Sequence, residues 1–305
     1  MTTRKLTATD AFVVVDLPAA PVAAGVARLA PKLLVDGATW LARSQTYQFA
    51  AFGRQASGAS AGVNAAADVR GEALAAFVAE LAPDVAAGTL LLEPGRGVGA
   101  DDLAELRAAD PRPAEWWDQR VLLRAAGIAA AAEAACGGSL DGRTVSVEGY
   151  DDSASAVADA LTSRGAAIAG GRPGPAAEVL HAAADVLVVG SKAGVLDHEA
   201  VPGVQAEVVV PSGPIPVSAK ALAALGRAGV VVLPDFVTTA GHLAAWPLDG
   251  AALPADLPTA AAELVAGAVA GLLDHPSGPV LGACEQAEAF LLTWVDELPF
   301  GRPIG

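Results

Sequence analysis

Short apolar runs alternate with longer stretches in which alanine and polar residues recur at helical spacing. Near the N-terminus, Ala11–Asp16 is apolar and β-branched and reads as a strand. Arg43–Phe52 reads as a helix, and Gln55–Gly62 is so rich in small residues that it reads as a loop. A helix is expected over Gly71–Leu81, a strand over Thr89–Glu93 and a glycine turn over Gly95–Gly99. Asp101 and Asp102 suit the first turn of a helix, where carboxylates interact favourably with the helix dipole. After the break at Pro111 and Pro113, a long alanine-rich helix is expected over Glu115–Ala135.

The pattern then changes. Strands are expected at Thr144–Val147, Ala166–Ala169, Ala184–Val189, Ala206–Val210 and Val230–Leu233. Helices over Ala154–Arg164 and Ser218–Gly226 fall between them, and helices over Thr259–Leu273 and Val280–Leu298 close the chain, leaving the tail 299–305 as a loop. Strands alternating with helices at this spacing specify a parallel sheet covered on both faces. The fold class is therefore α/β with two domains, an N-terminal α/β domain expected over residues 1–124 and a Rossmann-like doubly wound parallel-sheet domain expected over 125–279.

The chain has 305 residues, and 53% of them are hydrophobic. Alanine supplies much of that fraction, which suggests tightly packed helices rather than a membrane protein. No stretch reaches the roughly 18 to 20 strongly apolar residues of a membrane span. Met1–Asp10 has no apolar run after its basic residues, so no signal peptide is expected and the chain reads as cytoplasmic. A net charge of −15 argues against nucleic acid and anionic membranes as partners. Cys136 and Cys284 are too few for a disulfide scaffold or a zinc site, and His181, His198, His242 and His275 share no metal-ligand spacing.

Five segments, in order, carry a resemblance. They are APVAAGVAR at Ala20–Arg28, LARSQTYQFAAFGRQASGASAGV at Leu41–Val63 and EPGRGVGADDLAEL at Glu93–Leu106, followed by GRTVSVEGYDDSASAVADAL at Gly142–Leu161 and VVVLPDFVTTAGHLAA at Val230–Ala245. Together they resemble the glutamate/leucine/phenylalanine/valine dehydrogenases. The first looks like that family's glycine-rich substrate loop, and the fourth is similar to the start of its cofactor domain. The family deaminates amino acids oxidatively with a nicotinamide cofactor. The resemblance implies that the N-terminal α/β domain is a substrate-type domain and that a C-terminal helix within 280–305 belongs to it.

Carried onto this chain, the carboxylate-binding lysine of the family falls on Gln48, the water-activating lysine on Ser60 and the proton-shuttling aspartate on Gly97. The dinucleotide turn reads Gly149-Tyr150-Asp151-Asp152-Ser153-Ala154, with carboxylates where a pyrophosphate would approach the helix N-terminus. Such carboxylates repel a phosphate and satisfy the free N–H groups themselves. The nicotinamide-contacting threonine falls on Trp117 or Trp116, and two asparagines fall on Pro214 and Thr239. Pro234, Asp235, Gly241, Gly62, Gly25 and Gly149 survive, and these are residues that shape turns.

The resemblance therefore implies a catalytically degenerate homologue with no cofactor, acting as a binding, regulatory or scaffold subunit. A homo-oligomer or a hetero-oligomer with an active paralogue is the expected partner arrangement. Two alternatives stay open. One is a repurposed enzyme whose inter-domain cleft is lined by Gln48, Ser60, Tyr47, Arg54, Trp117, Thr239 and His242. The other is a residual NAD(P)-dependent amino-acid oxidoreductase.

Overall fold

A computed structural model describes residues 1–149, 151–247 and 251–304. Tyr150 of the expected dinucleotide turn and Gly305 of the expected tail loop lie outside the described residues. The described chain divides into two compact units, residues 1–111 with 286–303, and residues 112–285 with 304. The sequence had set the boundary at 124. The division at 111 keeps the long helix that follows whole.

The first unit contains strands β1 (Thr2–Lys5), β2 (Ala11–Val15) and β3 (Ala23–Ala30), helix α1 (Val35–Ala51) and strand β4 (Ser57–Asn64). Helix α2 (Arg70–Ala86), strand β5 (Leu90–Pro94) and the short helix α3 (Ala104–Ala109) follow. The sheet order is β1-β2-β4-β3-β5. The β1–β2 and β2–β4 pairs are antiparallel, whereas β4–β3 and β3–β5 are parallel. Phe12 and Val14 of β2 pack against Ala38 and Ala42 of α1.

Two expectations are corrected here. Gln55–Gly62 is not a loop, because Ser57–Asn64 forms the central strand β4. Most of Ala20–Arg28 is strand as well, as part of β3. Small residues there serve packing rather than turning. A Cβ on Gly58 would lie 1.8 Å from the carbonyl oxygen of Ala42 on α1, so only glycine lets this helix approach this strand. The Thr46 hydroxyl on α1 accepts the Gly58 amide at 2.9 Å, which ties the two elements together.

The second unit begins with α4 (Ala114–Ala135) and β6 (Thr144–Val147). It continues through α5 (Asp152–Thr162), β7 (Ala167–Ile168), α6 (Ala176–Val179), β8 (Val186–Val189) and β9 (Val208–Pro211). Helix α7 (Ala219–Arg227), strand β10 (Val231–Val232), helices α8 (Asp235–Thr238) and α9 (Leu257–Ala270), and the start of α10 (Pro279–Leu291) complete it. All five strands are parallel, in the order β10-β9-β8-β6-β7. Counted along the chain this is the 2-1-3-4-5 order of doubly wound sheets, whose topological switch point lies between the first and third strands. Here that point falls between the ends of β6 and β8.

One sheet face is filled by Leu187, Val189, Val209 and Val232 against Leu196, Ala221 and Leu225. Elsewhere in this unit, α4 packs against α9 and the 3-10 segment Thr239–Ala245. Ala129, Ala130, Ala131 and Ala132 of α4 are all buried, which accounts for the alanine bias of this helix. Helix α10 ends at Leu291, short of the expected Leu298, and 292–304 holds no further helix or strand. Among the described residues no helix is long and apolar enough to cross a membrane.

After α10 the chain returns to the first unit, where Arg302 donates to both Glu288 carboxylate oxygens at 2.7 Å and the Tyr47 hydroxyl donates at 3.0 Å. Those bonds hold the Glu288 carboxyl below the usual carboxylate range. A depressed carboxyl contributes stability that is present above its unfolded pKa and lost as pH falls through the folded value. Partial exposure limits the effect to less than about 1 kcal/mol. Glu288→Gln should therefore lower stability slightly at pH 7 and not at pH 3. Urea melts at both pH values would check this, and an equal loss at both would refute it.

Candidate functional site

At the switch point, β6 runs into Glu148 and Gly149 and then into α5. Gly149 sits at φ 137°, and a Cβ there would press on the Ala154 methyl at 2.6 Å, so the tight strand-to-helix turn requires glycine. Asp151 is the N-cap of α5, and its Oδ1 accepts the Ala154 amide at 2.9 Å. Asp152 lies exposed in the first turn.

Glu148 was missed from sequence. Its side chain is buried, at 3% exposure, and Oε2 accepts the amides of Gly190 at 3.0 Å and Ser191 at 2.9 Å. Those amides follow β8, on the other side of the switch point. A charged residue ending a β-branched run (VSVEG) was the available signal, since burial of a carboxylate requires donors close by.

Together these residues line a cavity of about 210 Å³. Gly149, Asp151, Ala154 and Pro214, all singled out from sequence, meet there, and Asp152 does not reach it. Glu148, Ser153, Ser191, Ser212 and Arg124 are added by the structure. Beyond β9, Ile215 adopts φ 51°, an unusual conformation for a β-branched residue. It is held there by Asp235, whose Oδ2 accepts its amide at 2.8 Å. This bond gives a structural role to one of the surviving motif residues.

Trp117 and His242 belong to an aromatic–cationic cluster in the same unit. The Arg112 guanidinium lies 3.6 Å from the Trp116 ring centroid, 5.2 Å from that of Trp117 and 5.5 Å from that of Trp246. Trp116 and Trp117 are both buried and meet edge to face at 5.3 Å. Arg124 Nε donates to His242 Nδ1 at 3.2 Å. The same Nδ1 lies 3.1 Å from the Thr239 carbonyl oxygen. Thr239 donates its hydroxyl to the Asp235 carbonyl at 2.7 Å.

The remaining expected residues lie in the first unit. Gln48 is buried on α1, and its Oε1 accepts from Gln45 at 2.6 Å. Tyr47 is buried beside it and bonded to Glu288, and Arg54 follows α1, half-buried. Ser60 is fully buried on β4. Gly97 holds φ 80°, and a Cβ there would lie 2.2 Å from the Leu29 carbonyl oxygen, so this backbone has no room for an aspartate side chain.

A second residue missed from sequence is Arg28 on β3. Its Nη2 comes within 3.5 Å of Ser60 Oγ, its Nε has no partner among the described residues, and burial lowers its pKa. Cys136 is half-buried and Cys284 buried, and burial pushes the Cys136 thiol up. Among the described residues no group of three or more histidines, cysteines or acids could hold a metal ion.

A Rossmann-like parallel sheet beside a second mixed sheet is the two-domain fold of the amino-acid dehydrogenases. The chain is similar in structure to the L-tryptophan dehydrogenase of Nostoc punctiforme, with a TM-score of 0.68 and 17% identity over 96% of each chain. It is likewise similar to the hetero-hexameric glutamate dehydrogenase of Thermus thermophilus, with a TM-score of 0.72 and 21% identity over 96% of this chain and 89% of that one. The glutamate dehydrogenase of Plasmodium falciparum matches with a TM-score of 0.73 at 12% identity, covering 93% of this chain and 77% of that one. Likeness at these identities is likeness of fold. No protein-family model matches the sequence, and no curated protein matches it.

Proposed function

We propose that this chain is a catalytically degenerate homologue of the amino-acid dehydrogenases that keeps their fold and acts by binding, as a regulatory or scaffold subunit. The observation that carries this reading is the pair Glu148 and Asp151. At the switch point of a doubly wound sheet, backbone amides and a helix N-terminus ordinarily receive the dinucleotide phosphates. Here Glu148 takes the Gly190 and Ser191 amides, and Asp151 takes the Ala154 amide at the start of α5. A phosphate would have to displace both carboxylates and lie among their charges. The cavity of about 210 Å³ falls below the roughly 300–1,000 Å³ of ordinary ligand sites. The residues present do not fit NAD(P), and no reaction step is assigned to it.

The first unit supports the same reading. Gln48 and Ser60 offer only neutral hydrogen bonds where the family's two lysines would stand, and neutral bonds are roughly half as strong as charge-assisted ones. The backbone at Gly97 excludes the aspartate. An oligomeric role, with an active paralogue or with itself, fits a chain that keeps this fold. The Thermus thermophilus glutamate dehydrogenase, of the same fold, is a hetero-hexamer.

Calorimetric titration with NADH and then NADPH tests the reading. No heat from a folded sample is expected. Micromolar binding of either would overturn it and restore the oxidoreductase alternative.

A further inference from the structure

In the second unit, a groove of about 540 Å³ opens between α7, the edge strand β10 and the start of α10. Ala219, Leu222, Ala223 and Gly226 line it at helical spacing along one side of α7, and Val232 lines it from β10. Ser277 is the one polar side chain in its wall among the described residues. A Cβ built on Gly226 meets nothing within 4 Å, so the space beside the helix is open. Ala221 and Leu225 already supply the core side of α7, which leaves this second apolar stripe without a partner in the unit.

The charge around the groove runs against that of the chain. From Val208 to Pro234 there is no acid, and the charged residues are Lys220 and Arg227, next in sequence to Ala219 and Gly226 of the groove. Residues 276–284, which include the opposite wall, carry no charge. Lys220 and Arg227 are exposed and form no ion pair among the described residues. In a chain of net charge −15, this is a local excess of positive charge. An apolar groove with a cationic rim selects an occupant whose apolar side chains stand next to carboxylates.

The chain itself carries such a segment. Asp296 and Glu297 precede Leu298, Pro299 and Phe300 in the first unit, outside any helix or strand. Both acids are exposed and form no ion pair among the described residues. Leu298 is 38% exposed and Phe300 is 101% exposed, so this ring finds no burial within its own chain. The backbone beneath it is nevertheless held, because Arg43 donates to the Phe300 and Gly301 carbonyls. A held aromatic side chain makes an effective anchor, since little freedom is lost when it docks.

We propose that residues 296–300 of one copy of this chain dock into the α7–β10 groove of a second copy. Leu298 and Phe300 enter the apolar groove, and Asp296 and Glu297 lie against Lys220 and Arg227 on its rim. Reciprocal insertion about a two-fold axis closes the assembly as a dimer, and one-way insertion repeats it. The inference rests on the binding role proposed above, for which it names the surface and the partner.

The test is sedimentation velocity of the whole chain at low salt. One short segment in one groove is a small interface, so association is expected in the micromolar range. Phe300→Ser removes the ring, and Gly226→Leu fills the groove where the fold has room. Each should weaken association at least about tenfold, with the melting temperature close to that of the parent. The pair Lys220→Glu with Arg227→Glu, and the pair Asp296→Lys with Glu297→Lys, should each give a monomer. An equimolar mixture of the two double variants should associate again, because each groove then meets a segment of opposite charge.

A parent that stays monomeric, folded variants that associate as the parent does, or a mixture that stays monomeric would each overturn the proposal. Titration with NADH keeps the two levels of the argument apart. Heat from NADH defeats the reading on which the inference rests, whereas no heat together with a monomeric parent defeats the docking inference alone.

Discussion

Replacing Arg43 by methionine should destabilise the protein by about 3 to 5 kcal/mol, the loss expected when one partner of a buried ion pair is removed. Arg43 lies on α1, and its Nε and Nη2 donate to the two oxygens of Asp16 at 2.7 Å each. The side chains are 5% and 0% exposed, so neither charge has water as an alternative partner. Nη1 also donates to the carbonyls of Phe300 and Gly301 at 2.5 Å, which fastens the C-terminal segment to α1 within the first unit. Methionine leaves the Asp16 carboxylate buried without its cation and leaves both carbonyls without their donor. Adding Asp16→Leu to Arg43→Met should recover part of the loss, because it removes the stranded charge as well. Urea unfolding of the single and double variants would measure this. A single-variant loss below about 1 kcal/mol would place the pair among weak surface bridges.

The second large effect is expected at Gly58, where alanine should cost about 3 kcal/mol or more, at the upper end of ordinary overpacking. An added methyl would meet the Ala42 carbonyl oxygen at 1.8 Å and the Thr46 amide nitrogen at 2.7 Å. These are backbone atoms of α1, and they cannot swing aside as a flexible side chain could. Either the helix moves off β4, breaking the Thr46 hydroxyl bond to the Gly58 amide, or the strand shifts. Gly37→Ala, in the same helix α1 where an added Cβ meets nothing within 4 Å, is the control. It should be neutral or stabilising by up to about 1 kcal/mol, as glycine-to-alanine changes in helices are. Thermal melts of the two variants side by side would decide the matter. Equal melting temperatures would show that the small residues of β4 do not set the helix–strand distance.

These two sites show where local sequence and tertiary structure part company. The second sheet was legible strand by strand. VSV, VLVV and VVVP are β-branched runs bounded by turn residues, and a strand buried on both faces has to look that way. The turn at Gly149 and the carboxylate cap at Asp151 were also legible, because capping chemistry acts within four residues. The strand β4 was not legible. SGASAGVN has the composition of a loop, and what makes it a central strand is the approach of α1, which is a property of packing. The exposed edge strand β1 was hidden for a related reason, since its TTRK sequence has no buried face to produce alternation.

The candidate site divides in the same way. Sequence alone determined that two acids stand at the start of α5, because capping acts between residues close together in the chain. Only the tertiary structure brought Glu148 across the switch point to the amides after β8, set Arg28 beside Ser60, and enclosed Arg112 among Trp116, Trp117 and Trp246. Each of these joins residues from different elements. A local pattern encodes which element a residue lies on, but the partner of a buried charge is chosen by the whole fold.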